Sequence, residues 1–111
     1  MNNNDSEFTN LTRAQVEALM ECFDFLRNGY KPLYDYKTRD VWIIRLIHQS
    51  NSSRITVTIY SNSYTISRNG IVRKQRDLFS DVDRYRLVVH SDGIIEVFAC
   101  ETGGDKKLVS G

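Results

Sequence analysis

The twenty residues from Val41 to Tyr60, VWIIRLIHQSNSSRITVTIY, form two runs rich in apolar and β-branched side chains on either side of a polar centre. Successive side chains of a β-strand point to opposite faces, so this pattern predicts a hairpin that folds back at Asn51-Ser52. One face of the hairpin is apolar and the other is mixed. The predicted pairs are His48–Ile55, Leu46–Val57 and Ile44–Ile59 on the apolar face, and Gln49–Arg54, Ile47–Thr56, Arg45–Thr58 and Ile43–Tyr60 on the mixed face.

One helix is predicted before this hairpin. Thr12 and Gln15 have the spacing of a capping box, and apolar residues then recur at helical intervals as far as Leu26. Asn28-Gly29 suits a left-handed helix end. We expect the helix to cover the apolar face of the hairpin, which also carries Trp42.

Turn residues divide the remaining chain. Asn69-Gly70 predicts a second hairpin with two positive φ angles, and Asp92-Gly93 predicts a third, in which Arg84 pairs with Glu101. The segment 30–40, with the only proline, is predicted to be an ordered loop. The expected fold is α+β, with one N-terminal helix packed on an antiparallel meander sheet of about five to six strands. The expected divisions are a flexible N-terminus (1–10), a single α+β domain (11–101) and a flexible C-terminal tail (102–111).

The composition is that of an ordinary water-soluble domain. The chain has 111 residues, 41% hydrophobic residues and a formal charge of +1, so no overall field steers it towards nucleic acid or anionic lipid. The N-terminus lacks the features of a signal peptide and no apolar run is long enough to span a membrane, which predicts a cytoplasmic protein. Cys22 and Cys100 show no metal-binding spacing and are expected to be two buried free thiols.

The mixed face of the long hairpin is the first candidate site. It carries more apolar side chains than a solvated sheet face usually does, with an arginine and a tyrosine of the kind common in interface hot spots. Either later strands curl over it as ordinary packing, or it binds a partner protein or a second copy in a homodimer. The candidate residues are Val41, Ile43, Arg45, Ile47 and Tyr60.

A basic hairpin is the second candidate site, for an anionic ligand or nucleic acid. Arg68, Arg73, Lys74 and Arg76 occur without an acid among them, and guanidinium groups bind phosphate oxygens well. Aspartates that follow in sequence could instead neutralise this hairpin. An acidic helix stripe, formed by Glu17, Glu21 and Asp24, is either solvated or able to attract a basic partner or a second copy.

Two histidines are the remaining candidates. His48 and His90 could serve as base and acid in RNA cleavage if they met in space, although histidines at strand ends are usually bystanders. No other catalytic motif, metal site or cofactor motif is evident. The leading prediction is a small non-enzymatic cytoplasmic binding protein that docks on another macromolecule, of the kind typical of phage or mobile-element inhibitors and immunity proteins. The alternatives are an RNA- or DNA-binding module that uses residues 68–76 and, third, a small ribonuclease.

Overall fold

The computed structural model describes residues 5–78, 84–101 and 104–110, and it has the predicted α+β fold, with one helix packed on antiparallel sheet. The elements are β1 (Ser6–Leu11), α1 (Arg13–Arg27), β2 (Tyr30–Lys37), β3 (Trp42–His48), β4 (Arg54–Ile59), β5 (Ser63–Arg68), β6 (Ile71–Asp77), β7 (Arg84–Val89), β8 (Ile95–Glu101) and β9 (Gly104–Ser110).

The strands form two antiparallel sheets with the helix against both. A five-stranded sheet has the order β2-β3-β4-β5-β6, and a four-stranded sheet has the order β1-β7-β8-β9. The helix contacts β2, β4 and β5 of the first sheet and β7 of the second. The first four strands of the predicted meander, β3 to β6, therefore lie in the five-stranded sheet, while its last two, β7 and β8, lie in a second sheet with β1 and β9.

The helix begins and ends where the sequence predicts. Thr12 Oγ1 accepts a hydrogen bond from the Gln15 amide at 3.2 Å, and Gln15 Oε1 accepts one from the Thr12 amide at 2.9 Å, which completes the capping box. Asn28 caps the other end and Gly29 follows with a φ of +95°. These contacts satisfy amide groups that the first and last turns of a helix leave without intrahelical partners.

The core lies where α1 meets the inner faces of both sheets. The apolar face predicted for the long hairpin is buried there, with Leu46 and Ile55 each 1% exposed. The second sheet adds Leu87 and Val97, which lie opposite each other on β7 and β8. The largest fully buried side chains are Leu11, Leu46, Ile55, Val57, Ile59, Tyr64, Leu87 and Ile95.

The register of the long hairpin differs from the prediction by two residues. Leu46 pairs with Ile55 and Ile44 with Val57, because the loop has four residues (49–52) instead of two. The His48 amide donates to the Ser53 carbonyl at 2.8 Å and Ser52 takes a left-handed φ of +60°, which closes this longer loop. Since strand side chains repeat every two residues, the shift leaves each residue on its predicted face.

The third hairpin differs by one residue, which changes the facing pairs. Arg84 lies opposite Cys100 instead of Glu101, because the loop of residues 91–93 has three residues and closes with Gly93 at a φ of +90°. The Asn69-Gly70 turn is as predicted, with φ angles of +50° and +86°. A shift of one residue pairs each β7 side chain with a β8 side chain that was predicted on the opposite face. The predicted register is wrong because the loop is one residue longer than the two-residue turn expected.

Three strands lie where the sequence predicts none. β2 occupies most of the predicted loop, and β1 and β9 lie in the segments expected to be flexible. Every residue of β2 after the first is exposed, so the strand lacks the apolar alternation by which strands are recognised. Its position at a sheet edge accommodates Pro32, next to a β-bulge between Pro32 and Tyr34.

Candidate functional site

The outer face of the five-stranded sheet, the side turned away from α1, is the principal candidate site. We define it by three rows of paired residues across the strands. The three rows contain the odd-numbered residues of β3, whose even-numbered neighbours Trp42 and Leu46 are buried on the other side. The rows are Tyr36–Ile43–Thr58–Thr65–Gln75, Tyr34–Arg45–Thr56–Ser67–Val72 and Lys31–Ile47–Arg54.

The structure places the residues of the first predicted site on or beside this face. Ile43 and Ile47 are half-buried by their sheet neighbours, whereas Arg45 is exposed. Val41 and Tyr60 lie at the end of the face, just before β3 and just after β4, and Tyr60 is 46% exposed. None of the five belongs to the core cluster. No described strand or helix therefore covers this face.

Two tyrosines extend the outer face beyond what the sequence predicts. Tyr34 and Tyr36 alternate along β2, and their rings lie 6.2 Å apart between centroids with an angle of 18° between planes. The Arg45 guanidinium lies 5.3 Å from the centre of the Tyr34 ring, within the range of a cation–π contact. The two-residue spacing of these tyrosines is the sequence signal for a strand at this position. Pro32 and the polar residues around the tyrosines make that signal hard to recognise.

The outer face is positively charged. Lys31, Arg45 and Arg54 lie on its three rows, and the rows contain no acidic residue. Asp35 belongs to the helix side, where its carboxylate accepts a hydrogen bond from Trp42 Nε1 at 2.8 Å. Asp77, which pairs with Ser63, is an acid on the outer face but lies beyond the three rows, at the end of β6. A groove of about 450 Å³ opens between Tyr34, Arg45 and Arg54.

The basic hairpin is divided between two environments. Lys74 forms an ion pair with Glu21, and Arg76 donates to the two carboxylate oxygens of Glu17 at 3.1 and 3.2 Å. Arg68 and Arg73 have no ion pair among the described residues. Half of the predicted anion site is thus occupied by acids of the same molecule.

The acidic helix stripe meets the basic hairpin along a groove of about 820 Å³ between α1 and the two sheets. The Tyr64 hydroxyl lies 3.4 Å from Glu17 and 3.5 Å from Glu21. Burial opposes ionisation of Glu17, but Arg76 and Arg13 outweigh it and lower the pKa of the Glu17 carboxyl. The pKa of the Tyr64 hydroxyl is raised, and burial is the main cause. This cluster joins α1 to the edge strand β6.

The two histidines lie in different sheets with different partners. His48 ends β3, with its ring 4.8 Å from that of Tyr30, and its Nδ1 accepts a hydrogen bond from the Ser50 amide at 3.1 Å. His90 follows β7 and lies between two carboxylates, with Nδ1 2.9 Å from Asp5 and Nε2 2.5 Å from Glu96. The two rings share no hydrogen-bond partner or ring contact among these residues.

The cysteines and metal-binding side chains add no further site. Both cysteines are free, but only Cys22 is buried, so the prediction of a second buried thiol is wrong for Cys100. Burial raises the pKa of Cys22 to about 12, which suppresses the nucleophilic thiolate. Among the described residues, no set of three or more His, Cys, Asp or Glu side chains is arranged to hold a metal ion.

Comparisons with known proteins add no indication of function to the structure. Within residues 5–78, 84–101 and 104–110, no helix has the length and apolarity required to cross a membrane. Neither protein-family models, nor curated proteins, nor solved structures give any match to this chain.

Proposed function

We propose that this chain is a small non-enzymatic binding protein that docks on another macromolecule through the outer face of its five-stranded sheet. The observation that carries the proposal is an uncovered patch in which Leu33, Tyr34 and Tyr36 are each between 44% and 49% exposed. Exposed tyrosines around an arginine are typical of binding hot spots, and large exposed apolar patches are uncommon on surfaces without a partner.

The proposal includes a cytoplasmic role in which binding itself is the activity, as in phage or mobile-element inhibitors and immunity proteins. The sequence favours a protein as partner, and that protein could be a second copy of this chain in a homodimer. A second copy suits this face poorly, because it would bring together two faces that each carry Lys31, Arg45 and Arg54. A different molecule that carries negative charge is the better fit.

The two other functions predicted from the sequence receive less support. Nucleic-acid binding through hairpin 68–76 loses Lys74 and Arg76 to the helix acids, which leaves Arg68 and Arg73 as its cations. A two-histidine ribonuclease would need His48 and His90 at one site, whereas His48 ends β3 in the five-stranded sheet and His90 follows β7 of the other sheet.

A capture experiment with matched surface variants tests the docking proposal. Immobilised wild-type protein, Ile43→Asp and Ile94→Asp are incubated with an extract of the source cells, with and without nuclease treatment. Ile94 is the control because it is 41% exposed in the loop before β8, on the other sheet. We expect a macromolecule retained in stoichiometric amount by the wild type and the control and lost with Ile43→Asp.

Two further readings complete this experiment. Thermal melts of all three proteins separate loss of binding from loss of folding. Equal retention of every bound macromolecule by the wild type and a folded Ile43→Asp variant would mean that the outer face is not the docking surface.

A further inference from the structure

We infer that the outer face binds single-stranded nucleic acid, with bases on the tyrosines of β2 and phosphates on the cations of β2, β3 and β4. The inference rests on the proposed function and specifies the class of macromolecule that docks. It concerns a surface other than the basic hairpin that the sequence suggested.

Charge is distributed unevenly in this nearly neutral chain. Residues 30–77, which form the five-stranded sheet, contain nine Lys and Arg against three Asp, a surplus of six positive charges. The rest of the chain consequently has a net charge of −5, since the whole chain has a net charge of +1. Lys74 and Arg76 face acids of the helix, whereas Lys31, Arg45 and Arg54 face outwards with no acid in their rows. The outer face therefore complements an anion.

The aromatic residues distinguish nucleic acid from a generic polyanion. Tyr34 and Tyr36 are 44% and 47% exposed, and their nearly parallel rings present flat π surfaces on the same strand. Bases stack on exposed aromatic rings of open sheets regardless of base identity, because every base has a π face. Arg45, in contact with the Tyr34 ring, can bind a phosphate with its remaining donors.

The polar half of the face points to the same partner. β4 and β5, two and three strands away from the tyrosines, present hydroxyl side chains in the same rows, namely Thr56, Thr58, Thr65 and Ser67. The centre of a stable protein interface is usually apolar, whereas hydroxyl groups hydrogen-bond to phosphates and base edges. A duplex is a poor fit, because its bases are already stacked and cannot lie on the rings. Single strands are therefore the favoured form.

Fluorescence anisotropy with labelled oligouridylate and oligothymidylate of about ten nucleotides, a length within the usual site size, tests the inference. Three phosphate contacts to a single strand predict a logarithmic salt slope of about −2, so raising salt from about 50 to about 200 mM should weaken binding roughly 20-fold. A duplex of equal length should bind distinctly less tightly.

Variants assign the binding to this surface. Tyr36→Ala should weaken binding between about 5- and 150-fold, the usual effect of losing one stacked base, whereas Tyr36→Phe keeps the ring and should bind like the wild type. Arg45→Gln should weaken binding and make the salt slope shallower by about 0.7. Arg13→Gln removes an exposed charge on α1, away from the outer face, and should leave affinity unchanged.

Each unfavourable outcome has a defined meaning. Absence of oligonucleotide binding at low salt, equal binding of duplex, or binding unaffected by both Tyr36→Ala and Arg45→Gln in folded proteins would overturn the inference. Polyglutamate is the parallel probe. If it binds with the same loss on Arg45→Gln while the oligonucleotides do not, the partner is an acidic protein segment, and the docking function stands without the nucleic-acid inference.

Discussion

Individual residues of the long hairpin have opposite roles according to the face they occupy. Leu46 is 1% exposed in the core, whereas its neighbours Arg45 and Ile47 lie on the outer face. The alternation follows from the strand period, so the sequence alone identifies which side chains hold the fold. It cannot identify which exposed side chains bind, because a solvated face and a binding face share the same pattern.

Leu46→Ala should destabilise the protein by about 2–5 kcal/mol, because a buried leucine leaves a cavity when truncated. Ile43→Ala, on the outer face of the same strand, should cost less than half as much, since Ile43 lies outside the core cluster. The free energy of unfolding from urea melts measures both. Equal losses in the two variants, or a loss below about 0.5 kcal/mol for Leu46→Ala, would contradict the assignment of faces.

Elements are joined at positions where a local conformation and a tertiary contact coincide. Gly29 ends α1 with a φ of +95°, and a Cβ placed there would lie 2.8 Å from Nε2 of His48. His48 cannot readily yield, because its ring packs on Tyr30 and its Nδ1 accepts from Ser50. The helix end and the end of β3 therefore fit together only around a glycine.

Gly29→Ala should be more destabilising than Gly70→Ala, which serves as its matched control. Both residues have φ near +90°, so both alanines incur a left-handed backbone cost of about 1–2 kcal/mol. Nothing lies within 4 Å of a Cβ at Gly70, so only Gly29→Ala adds a steric contact. Denaturant melts of the two variants measure the difference. Equal destabilisation would show that His48 moves aside at no cost.

The ion pairs between α1 and β6 should be structural contacts. Arg76→Glu places two like charges together at Glu17 and should lower the thermal midpoint, while the double variant Arg76→Glu, Glu17→Arg should recover most of that loss. Thermal melts at low and high salt measure the effect, which salt should weaken. A double variant no more stable than Arg76→Glu would mean that the pair does not link helix and strand.

The sequence predicts elements with strong local signals and misses those defined by tertiary context. The capping box of α1, the Asn69-Gly70 turn and the buried face of β3 and β4 follow from residue type and spacing. The sequence does not predict β2, because an exposed edge strand has no apolar alternation. Tyr34 and Tyr36, the residues most useful for identifying the site, lie on that strand. The ion pairs of Lys74 and Arg76 with acids of the helix cannot be predicted from the sequence either, since the partners are more than fifty residues apart.

The whole molecule brings both ends of the described chain into one sheet. β1 and β9 are the two edge strands that flank the β7–β8 hairpin. A chain of side-chain contacts crosses this sheet from Asp5, before β1, through His90 and Glu96 to Lys107 on β9, where Lys107 Nζ lies 2.7 Å from Glu96. The four residues alternate in charge when His90 is protonated, so the imidazolium joins the beginning of the described chain to its last strand.

The stability of the protein should depend on pH, because the contacts of His90 with Asp5 and Glu96 require a protonated imidazole. A neutral imidazole donates from only one nitrogen, whereas both His90 nitrogens face carboxylates, so the hydrogen bonds to Glu96 and Asp5 raise the pKa of His90 above its ordinary 6.5. Because the folded pKa exceeds the unfolded one, this stabilisation is fully present below about pH 6.5 and is lost as pH rises through the folded pKa. Lys107 and then His90 lower the pKa of Glu96 below 4.5, so its contribution is lost only under more acidic conditions.

Thermal unfolding between about pH 6 and pH 9 measures this effect, and the midpoint of the wild type should fall across the range. His90→Gln retains a side chain that can hydrogen-bond but cannot acquire the charge, so its midpoint should start lower and vary less with pH. Glu96→Gln removes one of the two carboxylates that face the His90 ring, so it should also reduce the pH dependence. A His90→Gln variant with the full wild-type dependence would show that another group titrates and that the imidazolium does not hold the edge strands together.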